Sequence, residues 1–170
     1  MTPTVIYLAF IAASGAGEWR CSYAPNPTAC RADIVRKLDF ILSAYNVVVT
    51  TDEPTTRHLT VIVTDEGPEP WGFKDHVVGA APSTCGGVPG GVAIVFRCVD
   101  NGWVCAARAA HEIGHLTGLE HVAKPVDLMY PAQGPMGWAD DPVPTVRGLC
   151  RVYQNSHQHL LRKLGPRPRK

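Results

Sequence analysis

Short apolar runs of strand length alternate with helical stripes along the first two thirds of the chain. Val5 to Phe10 is the first run. Ile34, Leu38, Ile41, Leu42 and Tyr45 then recur at spacings of three and four, one apolar stripe on a helix capped by Thr28 and running to about Tyr45. Val47 to Thr51 is a β-branched run suited to a buried strand, ended by Asp52-Glu53-Pro54. Leu59 to Thr64 is another, stopped by Asp65-Glu66-Gly67-Pro68. Gly and Pro crowd the stretch from Glu66 to Gly91, which predicts loops around one short strand, Val77 to Ala80. The run Val92 to Phe96 is more continuously apolar and reads as an inner strand, whereas 77–80, bounded by loops, reads as an edge.

The pattern then turns helical again. Asp100 or Asn101 can cap a helix from about Trp103 to Thr117, ended by Gly118. Irregular, Pro-rich chain follows from Pro125 to Pro144, and a last helix spans Ser156 to about Leu164. With no internal repeat and no linker, these elements make one α/β (α+β) unit over 1–170. Its upper part runs to about 118, its lower part covers about 119–165, and a basic tail occupies 166–170. Residues 1–17 carry an apolar stretch and small residues like those of a signal peptide. No Lys or Arg precedes that stretch, and Pro3 sits where a basic n-region should be, so a first strand is the preferred reading.

Composition changes this picture little. At 170 residues, 45% hydrophobic and a formal net charge of +1, the chain gives no reason to expect nucleic acid or an anionic membrane as partner. No apolar run is long enough to span a bilayer. The six cysteines matter more: Cys21, Cys30, Cys85, Cys98, Cys105 and Cys150 contain no CxxC pair, so three disulfides in an oxidising, extracellular compartment are expected in place of a cysteine metal site. Cys21–Cys30 would close a local loop; the other pairings stay open.

The segment His111-Glu112-Ile113-Gly114-His115-Leu116-Thr117-Gly118-Leu119-Glu120-His121 carries the candidate chemistry. Two histidines four apart on a helix lie about 40° apart around its axis, so His111 and His115 can converge on one ion. Gly118 can take φ > 0 and turn the chain so that His121 returns as a third ligand. Three neutral imidazoles leave an open position, the arrangement of a single catalytic zinc, which lowers the pKa of bound water to roughly 7. Glu112, next to His111, leans over that open side as a general base. Asp127 is the one acidic rival as third ligand, since no Glu follows Glu120; His121 has the expected spacing.

These residues resemble the zinc signature of the metzincin clan of metallopeptidases. Asp127-Leu128-Met129-Tyr130-Pro131 is similar in sequence and distance to the Met-turn of matrixins, which implies that Met129 lies beneath the metal. Tyr130 is assigned no ligand role. Tyr45 to Asp52 and Gln154 to Gln158 also look like segments of bacterial matrixin-like peptidases. The resemblance implies a mixed, mostly parallel twisted sheet with a backing helix and an active-site helix, above a small irregular C-terminal subdomain. It further implies an endopeptidase, expected to be monomeric, acting on extended polypeptide; cysteine usage makes it secreted. The edge character of 77–80 predicts that substrate pairs antiparallel with Val77, Val78, Gly79 and Ala80, its downstream side chain in a pocket bordered by Pro131 to Trp138. The chain departs from matrixins in lacking a recognisable second zinc set, with His58 and His76 assigned none, and an acidic calcium loop; calcium stays open. Cys85-Gly-Gly-Val-Pro is similar to an inhibitory cysteine switch but reads as half a disulfide. The competing functions are a non-catalytic protein that keeps the zinc site as a relic, against which Glu112 argues, and a hydrolase of non-peptide amides.

Overall fold

The computed structural model describes residues 2–13, 17–132 and 137–169. Its centre is a five-stranded sheet in the order β2-β1-β3-β5-β4, made of β1 (Thr4–Ile11), β2 (Val47–Thr50), β3 (Leu59–Thr64), β4 (Gly79–Ala80) and β5 (Val92–Val95). The first four strands in that order are mutually parallel, and β4 runs against β5 at the edge. Parallel neighbours need crossovers, and α1 (Pro27–Ile41) supplies the one between β1 and β2. The second helix, α2 (Gly102–Leu116), packs on α1 and against β3, β4 and β5.

Burial explains why the strands sit where they do. Ile6 and Leu8 of β1 alternate with less buried neighbours, as do Leu59, Val61 and Val63 of β3, so one face of the sheet meets the helices. On α1 the stripe Ile34, Leu38 and Ile41 enters the core. Alanines 106, 109 and 110 on α2 are fully buried and let that helix approach closely. Beyond α2 come a two-stranded ribbon of β6 (Val143–Pro144) and β7 (Tyr153–Gln154), then α3 (Ser156–Leu164), whose Leu160 and Leu164 are buried.

Three local expectations need correction. Asn26, not Thr28, caps α1: its side chain accepts from Ala29 N at 2.8 Å, with Pro27 in the first turn, where a missing N–H costs nothing. That helix stops at Ile41, and Tyr45, still fully buried, lies beyond it in a bridge to Pro166. The 47–51 run is not a buried strand but the far edge of the sheet, with Val48 47% exposed. The 77–80 segment is indeed an edge, though only Gly79 and Ala80 form the strand. The strand reading of residues 5–10 holds, since β1 lies at the sheet's interior; residues 14–16 of the alternative signal-like stretch lie outside the described residues. No helix among the described residues is long and apolar enough to cross a membrane.

All six cysteines are paired. Cys21–Cys30 and Cys98–Cys105 are local, the latter tying the end of β5 to the first turn of α2. Cys85–Cys150 joins positions 65 apart, linking the loop before β5 to the segment between β6 and β7. Closing a loop of that length stabilises by roughly 4 kcal/mol on the chain-entropy estimate. The paired double variant Cys85→Ala/Cys150→Ala is therefore expected to lose about 2–5 kcal/mol in urea unfolding. Unfolded, unreduced parent protein should show no reactive thiol; a count of six would overturn the disulfide assignment.

Candidate metal centre and cleft

Asn101 starts the helix that carries the site, accepting from Trp103 N (2.9 Å) and Val104 N (3.4 Å). Three turns later His111 and His115 project from one face. The helix ends at Leu116, and Gly118 adopts φ +97°, a conformation that reverses the chain where a side chain would be strained. The reversal brings His121 back. Its Nε2 lies 3.0 Å from His111 Nε2 and 3.1 Å from His115 Nε2.

Those distances are not a hydrogen-bond network. His111 Nδ1 donates to the Leu128 carbonyl (2.7 Å) and His115 Nδ1 to the Leu119 carbonyl (3.0 Å), so both rings carry their proton on Nδ1. Their Nε2 atoms are lone pairs, and at most one short contact could be a hydrogen bond from His121. A shared cation removes the conflict. Zinc–nitrogen bonds of about 2.0–2.1 Å in a tetrahedron set nitrogens about 3.3 Å apart, close to the spacing present. Among the described residues this is the one group of His, Cys, Asp or Glu arranged to hold a metal ion. Burial keeps the rings neutral: it pushes His111 down to about 3, helped by His115, and His121 down to about 4, and it lowers His115 as well.

Glu112 is the contrasting group. It is 5% exposed, and its Oε2 is buried without a partner. Burial alone pushes its carboxyl up to about 8. It shares a cavity of about 550 Å³ with the three histidines, and Val77, Val78, Gly79 and Ala80 form one wall. Phe96 N donates to Val78 O (3.0 Å), and Ala80 pairs with Ile94. By the alternation of antiparallel ladders, the N–H and C=O of Gly79 then point away from β5, toward the free edge. The strand also lies tight on α2, because a Cβ at Gly79 would meet Glu112 Oε1 at 2.5 Å.

The lower wall is held by carboxylates that sequence reasoning passed over or weighed only as ligands. Asp127 is fully buried and accepts from Met129 N (2.7 Å) and Ala139 N (2.9 Å), so it fixes the turn and does not face the imidazoles. That turn aims the Leu128 carbonyl at His111 and sets buried Met129 against Gly114, where a Cβ would collide with its sulfur. Glu120 accepts from the backbone N–H groups of Leu149, Cys150 and Arg151 at 2.9, 2.9 and 3.1 Å. Gln154 accepts from Glu120 N and donates to Glu120 O, both at 2.9 Å, and Val146 N donates to His121 O at 2.9 Å. Nothing in the sequence pairs Glu120 with residues thirty positions away; only its place inside the His motif hinted at a role.

Other sequence candidates separate cleanly. Tyr130, Pro131 and Ala132 line the cavity. Positions 133–136 of the expected pocket border, including Gly134 and Pro135, lie outside the described residues, and Trp138 packs on Tyr45 with ring centroids 6.5 Å apart. His157 contacts the Tyr45 hydroxyl (2.9 Å), and His159 the Thr117 carbonyl (2.9 Å), so neither joins the site. Cys85 is disulfide-bonded, as expected against a cysteine switch. Arg108, which the sequence reading missed, lines the cavity one helical turn before Glu112.

The matrixin family profile matches residues 44–140, more than half of the chain. The chain belongs to the matrixin family. Over 75 residues, 42% of its length, this matrixin is 41% identical to matrix metalloproteinase-9 of Canis lupus familiaris. Those residues are 8% of that relative, so the chain spans under a tenth of its length. The crystal structure of archaemetzincin from Methanopyrus kandleri superposes with a TM-score of 0.55 at 14% identity, covering 95% of this chain and 96% of that one. The fold is thus of metzincin type, as the motif implied.

Proton linkage gives the site a testable signature in metal-free protein. The three imidazoles have folded values below the ordinary 6.5, so the unfolded chain takes up protons first and stability falls as pH drops from about 6.5 toward 3. Glu112 has the opposite sign: raised from 4.5 to about 8, it makes stability fall as pH rises through that window. Thermal melts of stripped protein between pH 4 and 8 should show both slopes. Glu112→Gln should remove the alkaline slope and leave the acid one; an unchanged alkaline slope would assign it to another group.

Proposed function

We propose that this matrixin is an extracellular zinc endopeptidase that cuts extended polypeptide, with zinc on His111, His115 and His121 and Glu112 as general base. The observation that carries the reading is the convergence of His111 and His115 Nε2 on His121 Nε2, at 3.0 and 3.1 Å, beside a buried carboxylate with an unpartnered oxygen. Zinc bound there lowers the pKa of a water ligand to roughly 7 and polarises the scissile carbonyl.

The protein's own groups do the rest. Glu112 would take a proton from water in the cleft on its carboxylate and deliver it to the leaving amine. Its burial raises its basicity and suits both transfers. Met129, packed on Gly114 with its N–H bonded to Asp127, would form the floor of the site under a bound metal. The free edge at Gly79 takes the substrate backbone as an added antiparallel strand, and Val77, Val78 and Ala80 shape that wall. Residues 1–118 form the upper half of one catalytic domain and 119–165 the lower. Three disulfides fit an oxidising, extracellular setting.

Elemental analysis should find about one zinc per chain, lost in His115→Ala and kept in Glu112→Ala. Casein fragmentation should stop with a chelator, and Glu112→Ala should cut it roughly 10²–10⁴-fold more slowly than the parent. Parent-like cleavage by Glu112→Ala would assign the proton transfer elsewhere.

The edge is tested on the substrate, since any side chain at position 79 would press on Glu112. Peptides N-methylated in turn at the backbone amides flanking the scissile bond should include at least one cut severalfold more slowly. If every methylated peptide is cut as fast as the parent peptide, the substrate does not pair with this strand.

A further inference from the structure

The geometry points to Arg108 as a specificity-determining residue: its guanidinium selects substrates with a carboxylate side chain on the residue that follows the scissile bond. The inference rests on the peptidase reading above and names a preference within it.

Arg108 lines the same cavity as Glu112 and the three histidines, on the α2 face that presents Val104, Ala107, His111 and Glu112. Nη1 donates to the Phe96 carbonyl (3.2 Å), which pins the guanidinium beside the start of the edge strand, where Phe96 N meets Val78 O. Nε is buried with no acceptor. Neither Nη2 nor any carboxylate enters a hydrogen bond or ion pair with this side chain among the described residues. Burial disfavours its charged form, and the nearby cation Arg97 adds to that. Arg97 itself is engaged by Asp75 and Glu69, so those acids are already taken. Glu112, the remaining acid in the cavity, owes its raised value to burial and not to Arg108. His76 also lines this end. The result is a half-buried guanidinium, held by the Phe96 carbonyl and without an ion-pair partner among the described residues, in a cavity whose apolar lining includes Val78, Val104, Ala107, Leu128 and Pro131.

Direction follows from the strand. Glu112 lies against Gly79, and Arg108 lies one helical turn back, toward Val78. A substrate antiparallel to β4 advances toward its own C-terminus as β4 runs backward from 79 to 77. The Arg108 end of the cleft therefore receives the side chain downstream of the cut. A Glu there reaches about one helical turn and can accept two N–H groups of a planar fork, whereas Leu leaves the guanidinium desolvated and unpaired.

The test uses three quenched fluorescent peptides that differ only at that residue, Glu, Gln or Leu, with the cut bond located by mass spectrometry. In the parent, kcat/KM for Glu should exceed that for Gln and for Leu by at least about tenfold, the worth of one charge-assisted hydrogen bond, and the advantage should shrink with added salt. In Arg108→Met the order should invert to Leu over Glu, and in Arg108→Lys a reduced preference for Glu should remain. Zinc content reports folding, and ratios within each variant remove any change in overall rate. A parent that cuts all three alike or prefers Leu, or an Arg108→Met variant that still prefers Glu, overturns the inference while leaving the peptidase reading intact. A parent that cuts none of the three, or any casein, overturns both.

Discussion

Three imidazoles converge on one point, and two of them, by their tautomers, aim lone pairs there, an arrangement that a shared cation would relieve. Much of the local structure can be read as the means of enforcing that convergence. Two of the rings come from successive turns of α2, where helical geometry delivers them together. The third must travel back over the end of the helix, and Gly118 at φ +97° makes the return possible. The carbonyls of Leu128 and Leu119 fix the tautomers of the first two rings, so that neither can relieve the crowding by offering a proton.

Enforcement comes from the C-terminal part of the chain. Glu120 and His121, just after the Gly118 turn, are tied to the 145–154 segment through Leu149, Cys150, Arg151, Gln154 and Val146, and Cys85–Cys150 ties that segment to the loop before β5. The Arg151 guanidinium adds a bond to the Gly118 carbonyl and a contact with His159, at 3.2 and 2.7 Å. The position of His121 is therefore fixed by long-range contacts, while those of His111 and His115 are fixed by a local helix. Loss of the distant anchors should disturb the third nitrogen alone.

That division explains what was legible in the sequence. The helix, the parallel strands and the His motif obey short-range periodicity, and they stand within a few residues of where the pattern puts them. The edge character of β4 could be inferred from flanking Gly and Pro. The opposite edge could not: Val47 to Thr50 reads as buried because β-branched residues suit any strand, and only the topology leaves β2 without an outer neighbour. Thr28 lost the cap to Asn26 because Pro27 is pre-set for the first helical turn, a local cue that was present and overlooked. Arg108 was hidden differently. Its helix position was plain, but its isolation depends on the Phe96 carbonyl that it bonds and on Arg97 taking Asp75, contacts that exist only once β5 is placed.

The three buried carboxylates of the described chain show how a structural acid differs from a chemical one. Asp127 satisfies two backbone N–H groups and Glu120 three, so each is neutralised by fixed dipoles and stiffens the backbone around it. Glu112 is buried to a similar degree, yet its Oε2 has no hydrogen-bond partner among the described residues, and Oε1 lies against the backbone of Gly79. An unpaired buried carboxylate destabilises a fold, which can lower that cost by letting the group take a proton, and this is the sense in which burial raises it. Replacing it with an apolar side chain would relieve that cost, whereas replacing Glu120 would leave three N–H groups orphaned. A destabilising acid beside three converging imidazoles is the arrangement that the proton-transfer role proposed for Glu112 requires.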